Sequence, residues 1–547
     1  MQRRHFLAAT SLPLLACQRG PDGNAGDAIA GGFVGTHPER GHALRDRRDW
    51  PAPAVQRRTR VLIAGGGVAG LAAARALRLR GVEEFAVFDL EDAAGGNSRA
   101  GSVSGVACPL GAHYLPLPGD HASEVQDFLE ELGLRQRVAG RWQYDERHLC
   151  HSPQERLFFQ GQWQSGLLPV EGVGAATLAQ YRRFAELVSA TQRSARFVIP
   201  TLKAPLTAQH LALDAQTFAA WLDAQGLMDA HLRWYLDYCC RDDYGAGSAT
   251  VSAWAGLHYF ASRHGFHAPG DDASDGDAAV LTWPEGNGFL TQALAQPLGD
   301  GRLHTGCTVL RVAETRHAVE LDVWRHASSQ VERWQAPACI VALPVMVAAR
   351  VLASPPTWLQ ATAAGLRYAP WVVANIHLRT PLRDRPGAAP AWDNVVYDRP
   401  GQGGLGYVDA RHQSLDPRPG PTVLTHYRAL GDVPNSRQLL LDQPWQHWRD
   451  QSLAELAQAH PDLATLATHA AITRYGHAMA MPIPGALNLL RKNRAFGIPV
   501  NKTSLSKSEF SMPRTRRIAL AHSDWSGYSI FEEAFTRGHG AGMGIIE

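Results

Sequence analysis

The chain has 547 residues, 45% of them hydrophobic, so it can bury large cores, and length alone suggests two to four domains. Lysine and arginine total 53 against 51 aspartates and glutamates, a net charge of +2 that argues against a nucleic-acid partner. Seven cysteines are too sparse for a disulfide scaffold, and no cysteine–histidine spacing suggests zinc or another metal.

The first residues, Met1-Gln2-Arg3-Arg4-His5-Phe6-Leu7, carry a twin-arginine pattern, and residues 6–16 form a short apolar core. Eleven residues fall well short of the roughly 20 that span a bilayer, so this is a targeting segment and not a membrane helix. Leu14-Leu15-Ala16-Cys17 resembles a lipoprotein cleavage box in which the cysteine is lipidated, the alternative being an ordinary buried cysteine beside a signal cleavage site. Residues 1–17 are therefore expected to direct export by the twin-arginine route, which carries folded proteins. The expected location is periplasmic, with a lipid anchor in a bacterial membrane. Residues 18–57 are glycine-rich without hydrophobic periodicity and read as a flexible tether.

The most informative stretch follows. An apolar strand, Val61 to Ala64, runs into Gly65-Gly66-Gly67-Val68-Ala69-Gly70 and an alanine-rich helix, and a second strand from Phe85 ends at Asp89. Each part has a physical task in dinucleotide binding. Gly65 permits the tight turn, Gly67 lets a pyrophosphate approach the backbone, and Gly70 lets the helix pack close to the sheet. Val68 and Ala69 open the helix whose free N–H groups and positive dipole end attract phosphate. Asp89, 19 residues past Gly70, stands where a carboxylate accepts ribose hydroxyls.

Gly95-Gly96, six and seven residues past Asp89, resemble the second glycine pair of the flavin-dependent amine oxidase and phytoene desaturase superfamily. There a Gly-Gly-Arg-like turn wraps the FAD pyrophosphate. Asn97 stands in the usual arginine position, which makes Arg99 the expected phosphate partner, with a solvated loop arginine as the alternative. Gly111-Ala112-His113-Tyr114 is similar to the segment that returns the chain to the flavin ring. Val309 matches the position that binds adenine through backbone, and Asp524 matches the last FAD-domain strand. Glu533-Ala534 resembles the helix start facing the isoalloxazine, and Trp525-Ser526-Gly527-Tyr528 is similar to a stretch whose tyrosine forms half of an aromatic cage.

The resemblance implies an α/β fold: a Rossmann-type FAD-binding domain assembled from residues 58–118, 278–345 and 490–547. An α+β substrate domain would come from residues 119–277, mostly helical by pattern, and 346–489, a mixed sheet with a helix near 445–460. FAD would be non-covalent, since no cysteine lies in the C-terminal flavin segment. The vicinal pair Cys239-Cys240 reads as two packed thiols, with redox activity as the alternative.

The implied reaction is hydride transfer from a substrate C–H to the flavin, with an amine or polyamine as the expected substrate. Dehydrogenation of an apolar C–C bond, as in phytoene desaturases, stays open, as does a flavin-bearing binding protein without turnover. Tyr114, Trp283, Tyr475, Trp525 and Tyr528 are the candidates for an aromatic wall, and His113, His477 and His522 are possible bases or orienters, with hydrogen-bonded structural histidines as the alternative. Many amine oxidases place a lysine near the flavin; the comparable stretch, Trp371 to Leu378, has none, and Asn375 or His377 is the candidate to hold a water there. The electron acceptor is left open.

Overall fold

The computed structural model describes residues 29–47, 49–270, 279–397, 403–416, 418–493 and 512–545. The export signal and residues 18–28 of the expected tether lie outside them. Five parallel strands carry the dinucleotide motif, in the order Leu303–His304, Phe85–Phe88, Val61–Ala64, Ala338–Val341, Ile518–Leu520. The four residues of each of the three central strands are buried, as expected for a parallel sheet covered on both faces.

One face is covered by the helix Val68–Leu79, whose Ala72, Ala73, Ala74 and Ala76 are fully buried. The C-terminal helix Phe531–Gly544 lies directly against it. Only glycine allows this approach: a Cβ on Gly538 would stand 1.9 Å from the Ala69 carbonyl oxygen. The other face packs on the antiparallel strands Cys307–Glu314, Val319–Arg325 and Gln330–Ala336. The chain thus leaves and re-enters this domain, the discontinuous Rossmann-type assembly expected from sequence.

The second half is an eight-stranded mixed sheet whose longest members are Arg367–Leu378, Thr422–Ala429 and Ala467–Met481. Helices Ala175–Ser194, Phe218–Ala224, Ala230–Tyr244 and Ala253–Ala261 share an apolar core with it. Residues 119–277 are less uniformly helical than their pattern suggests. Hairpins at Arg135–Val138 with Arg141–Tyr144, and at Glu155–Phe159 with Gln162–Ser165, interrupt the helices, and the second joins the large sheet.

The tether reading also changes from Ile29 onward. Ala30–Phe33 adds a parallel edge strand to Ala467–Met481, Pro38–Asp46 is a helix, and Val55–Arg58 joins the antiparallel layer. These pairings come from distant backbone, so local composition does not reveal them. Cys239 and Cys240 are buried free thiols of the helix Ala230–Tyr244, and burial pushes both thiol pKa values up. Among the described residues, no helix is long and apolar enough to cross a membrane.

Candidate active site

The cradle is built from backbone. Gly65 sits at φ +103°, and its Cβ would lie 2.4 Å from the Ala342 carbonyl oxygen, so a side chain is excluded twice. The second turn crosses the first: Gly95 donates to the Gly66 carbonyl at 2.8 Å, and Gly95, at φ +125°, bridges Gly67. A Cβ on Gly67 would meet nothing nearer than the Gly96 Cα at 3.7 Å, so bare backbone faces the cavity. Asp89 accepts backbone N–H groups from Gly66 at 2.9 Å and Glu91 at 2.8 Å, and still lines the cavity wall. Burial raises its carboxyl to about 6, against the lowering effect of those bonds. These features fit a dinucleotide, with N–H groups of the two turns for the pyrophosphate and Asp89 for the ribose.

From the cradle, a cavity of about 350 Å³ runs between the two halves of the molecule. Its far wall is aromatic. Val373 and Tyr427 are register partners on neighbouring strands, so Trp371, Val373 and Tyr427 present one face to the space. His113 stacks on Tyr427 with ring centres 4.3 Å apart, and Tyr114 meets it edge-on at 4.9 Å. Burial lowers the His113 imidazole to about 3, which keeps it neutral. Tyr475 and Tyr427 donate their hydroxyls to the carbonyls of Leu110 and Gly111, both at 2.9 Å.

A second chamber of about 680 Å³ adjoins the first and shares His113, Tyr114, Pro116, Asp242, Arg263 and Glu532 with it. Asp242 and Asp243 end the helix Ala230–Tyr244, Glu532 opens the C-terminal helix, and Glu155 and Asp393 line the deeper chamber. Burial lifts Asp242, Glu155 and Glu532 each to about 7 and Asp393 well above the usual carboxylate range. Arg263 stands among them, donating to both oxygens of Asp243 at 3.0 and 3.3 Å and to the Tyr528 hydroxyl at 2.6 Å.

Of the site residues expected from sequence, Gly65, Gly67, Val68, Ala69, Asp89, Gly95, Gly96, Asn97, His113 and Tyr475 line the first cavity. Gly70 lies behind it, where its Cβ would stand 1.8 Å from the Gly65 carbonyl oxygen. Several others stand elsewhere. Arg99 turns under the second glycine turn, donating to the Gly96 carbonyl at 2.9 Å; the Val309 side chain is buried in its strand, as a residue expected to act through backbone allows. Asp524 accepts from the Val345 N–H at 2.9 Å and the Tyr368 hydroxyl at 2.7 Å. Glu533 is occupied by Thr201 and Ser526, while its neighbour Glu532 faces the cavity.

The three remaining corrections concern the catalytic wall. Asn375 is fully buried between the Pro109 carbonyl at 3.0 Å and the Thr425 hydroxyl at 2.7 Å, so it has no free group for a water at the flavin. Trp525 packs on Trp358 under the parallel sheet, with ring centres 5.8 Å apart. Tyr528 points into the Asp243–Arg263 pair and is absent from the wall. Tyr114 and Tyr475 do line the first cavity, joined there by Trp371 and Tyr427, while Trp283 stacks on Phe289 with ring centres 5.0 Å apart. Asp242, Asp243, Arg263 and Glu532 were not singled out from sequence. The available signal was two adjacent acids, Asp242 and Asp243, just after the aromatic and cysteine-bearing run of their helix.

A parallel-sheet nucleotide domain, a double glycine cradle and a chamber between two halves define a dinucleotide-dependent oxidoreductase. The family model for flavin containing amine oxidoreductases matches residues 68–443, and the chain belongs to that family. It is an FAD-dependent oxidoreductase. No described cysteine lines the first cavity, in keeping with non-covalent FAD. A putrescine oxidase structure with bound putrescine is 16% identical, with a TM-score of 0.64 over 90% of this chain and 99% of that chain. Cyclohexylamine oxidase from Brevibacterium oxydans IH-35A is 17% identical, with a TM-score of 0.61 over 89% and 98%. A CLA-producing fatty acid isomerase from P. acnes is 14% identical, with a TM-score of 0.59 over 88% and 97%. No curated protein sequence matches the chain.

Proposed function

We propose that this enzyme oxidises an amine, polyamines included, by removing a hydride from the carbon next to nitrogen. The observation that carries the reading is the charge balance of the two chambers. Among their described wall residues, and apart from Asp89 at the cradle, Asp242, Asp243, Glu155, Asp393 and Glu532 face a single guanidinium, Arg263. An entering ammonium draws acids poised at about 7, Asp242, Glu155 and Glu532, into their charged forms, whereas an apolar alkene would lie among buried polar groups without a partner. Trp371, Tyr427 and Tyr114 add rings that suit a cation and the neutral amine it becomes. The amine oxidases among the structural relatives accord with this reading.

Bound FAD would supply the hydride acceptor. The protein's own part is to hold the substrate carbon beside it, keep water out, and take the ammonium's proton, because an ammonium lacks the lone pair that drives hydride loss. His113, held neutral, packs the wall without repelling the incoming cation.

The test is anaerobic bleaching of the flavin absorbance by a panel of compounds. Reduction by monoamines or by spermidine-like polyamines is the expected result. Reduction by lipophilic alkenes alone would assign the protein to C–C dehydrogenation, and no reduction by any compound would leave it a flavin-bearing binding protein. The twin arginines and Cys17 support a periplasmic, lipid-anchored location. Cys17→Ser is expected to abolish labelling by radioactive palmitate and release the protein from membranes; unchanged labelling would overturn the anchor.

A further inference from the structure

We infer that Asp242 is the group that takes the proton from the substrate ammonium before hydride transfer, while its neighbour Asp243 is a fixed counter-ion. This rests on the amine reading above. The two acids are adjacent in sequence, yet their surroundings differ. Asp243 is nearly saturated: Arg263 donates to both its oxygens, and the Tyr528 hydroxyl donates to one. Among the described residues, Asp242 has one side-chain hydrogen-bond partner, the Tyr114 hydroxyl at 3.4 Å, and it lines both chambers. A base must be within reach of the substrate nitrogen and have lone pairs to offer. Asp242 meets both conditions, and Asp243 fails the second.

The step balances simply. The ammonium gives one proton to the Asp242 carboxylate, forming a neutral amine beside a carboxylic acid, with no change in total charge. The protonated acid can then donate to the Tyr114 oxygen. The groups that act on Asp242 are Asp243, which raises its pKa, and Arg263, Tyr114 and Arg241, which lower it. Asp393 also feels its charge, and Glu532 shares its walls. The net position, about 7, suits proton exchange near neutrality.

His113 is the rival base, but burial holds it at about 3. An imidazole held that far below its usual range keeps no proton near neutrality, so His113 does not store the one the ammonium gives up. Glu532 is the second rival, with a similar pKa and the same two chambers. It is buried at 3% exposure, deeper than Asp242, which is only part-buried and so the more open of the two to an incoming ammonium.

Anaerobic stopped-flow reduction by an amine, followed against pH, tests the assignment. In wild type the rate should rise through an ionisation near neutrality. Asp242→Asn should lose that limb and about 100-fold in rate near pH 7, recovering towards pH 10 as free amine replaces ammonium. Asp242→Glu should keep the limb, and Glu532→Gln should weaken binding without removing it.

A second readout needs no turnover. tert-Butylammonium has no hydrogen on the carbon beside nitrogen, so it binds without reducing FAD. Calorimetry in buffers of different ionisation heat should show proton release on binding near pH 6, fading by pH 8, and absent in Asp242→Asn. An unchanged limb in Asp242→Asn, or its loss in Glu532→Gln alone, overturns the proposal. So does wild-type binding without proton release near pH 6, a measurement that stands even if Asp242→Asn does not fold. Failure of every amine to reduce wild type would instead overturn the amine reading.

Discussion

The dinucleotide cradle and the substrate chambers are built on opposite principles. The cradle uses what side chains would spoil: Gly65, Gly67, Gly95 and Gly96 bring bare backbone together, and Asp89 is held by two backbone N–H groups. The chambers use side chains that backbone cannot replace: among the described residues, five acidic groups, one guanidinium and aromatic rings from distant segments. Loss of a cradle residue should therefore act on shape, and loss of a chamber residue on charge. The two kinds of damage should be separable in the same protein.

Gly70→Ala should give the largest effect. Its Cβ would stand 1.8 Å from the Gly65 carbonyl oxygen, a clash with backbone that forces helix and turn apart. The purified variant is expected to lack FAD, with a stability loss of about 1–3 kcal/mol from overpacking. Trp371→Phe, a chamber change of similar conservatism, should keep a full complement of FAD. Flavin absorbance per polypeptide checks both. A yellow Gly70→Ala, or a colourless Trp371→Phe, would break the division between the two regions.

Arg263→Met probes the other side of the contrast. It leaves the Asp243 charge buried with the Tyr528 hydroxyl as its remaining donor, an uncompensated ion that costs about 3 kcal/mol. Denaturant unfolding should register that loss while FAD occupancy stays unchanged. Loss of the flavin as well would mean that the chamber charges also hold the cradle together.

The same contrast explains what could be read from the sequence. The cradle's two glycine turns and Asp89 fall between Gly65 and Gly96, and each acts through backbone geometry that residue type alone dictates. Its residues were therefore legible, down to the second glycine pair. Where side-chain direction mattered, a small error of register was enough. Glu532 and Glu533 are adjacent, but one helical residue turns about 100°, so one faces the cavity while the other meets Thr201 and Ser526. Asn375 lies on the strand face of Trp371 and Val373, but the Pro109–Leu110 segment covers it. Asp242 owes its contrast with Asp243 to Arg263 and Tyr528, which reach Asp243 from a later turn of chain and from the distant C-terminal segment. No local pattern encodes that meeting.

Tyr528 gives the smallest and sharpest test, because its two readings disagree about a single oxygen. As a cage wall, the tyrosine would contribute its ring to the substrate space, and Tyr528→Phe would keep that ring and cost little. In the structure the ring is fully buried, and the hydroxyl donates to Asp243 while accepting from Arg263 at 2.6 Å. Removing it leaves two charged groups each short of one partner, worth about 1–2 kcal/mol. The urea midpoint of the FAD-loaded protein should fall accordingly, while the KM for an amine changes by less than about threefold because substrate and transition state lose no contact. An unchanged midpoint with a raised KM would return Tyr528 to the cavity wall and undo the separation of Asp243 from Asp242, since both depend on where that one hydroxyl points.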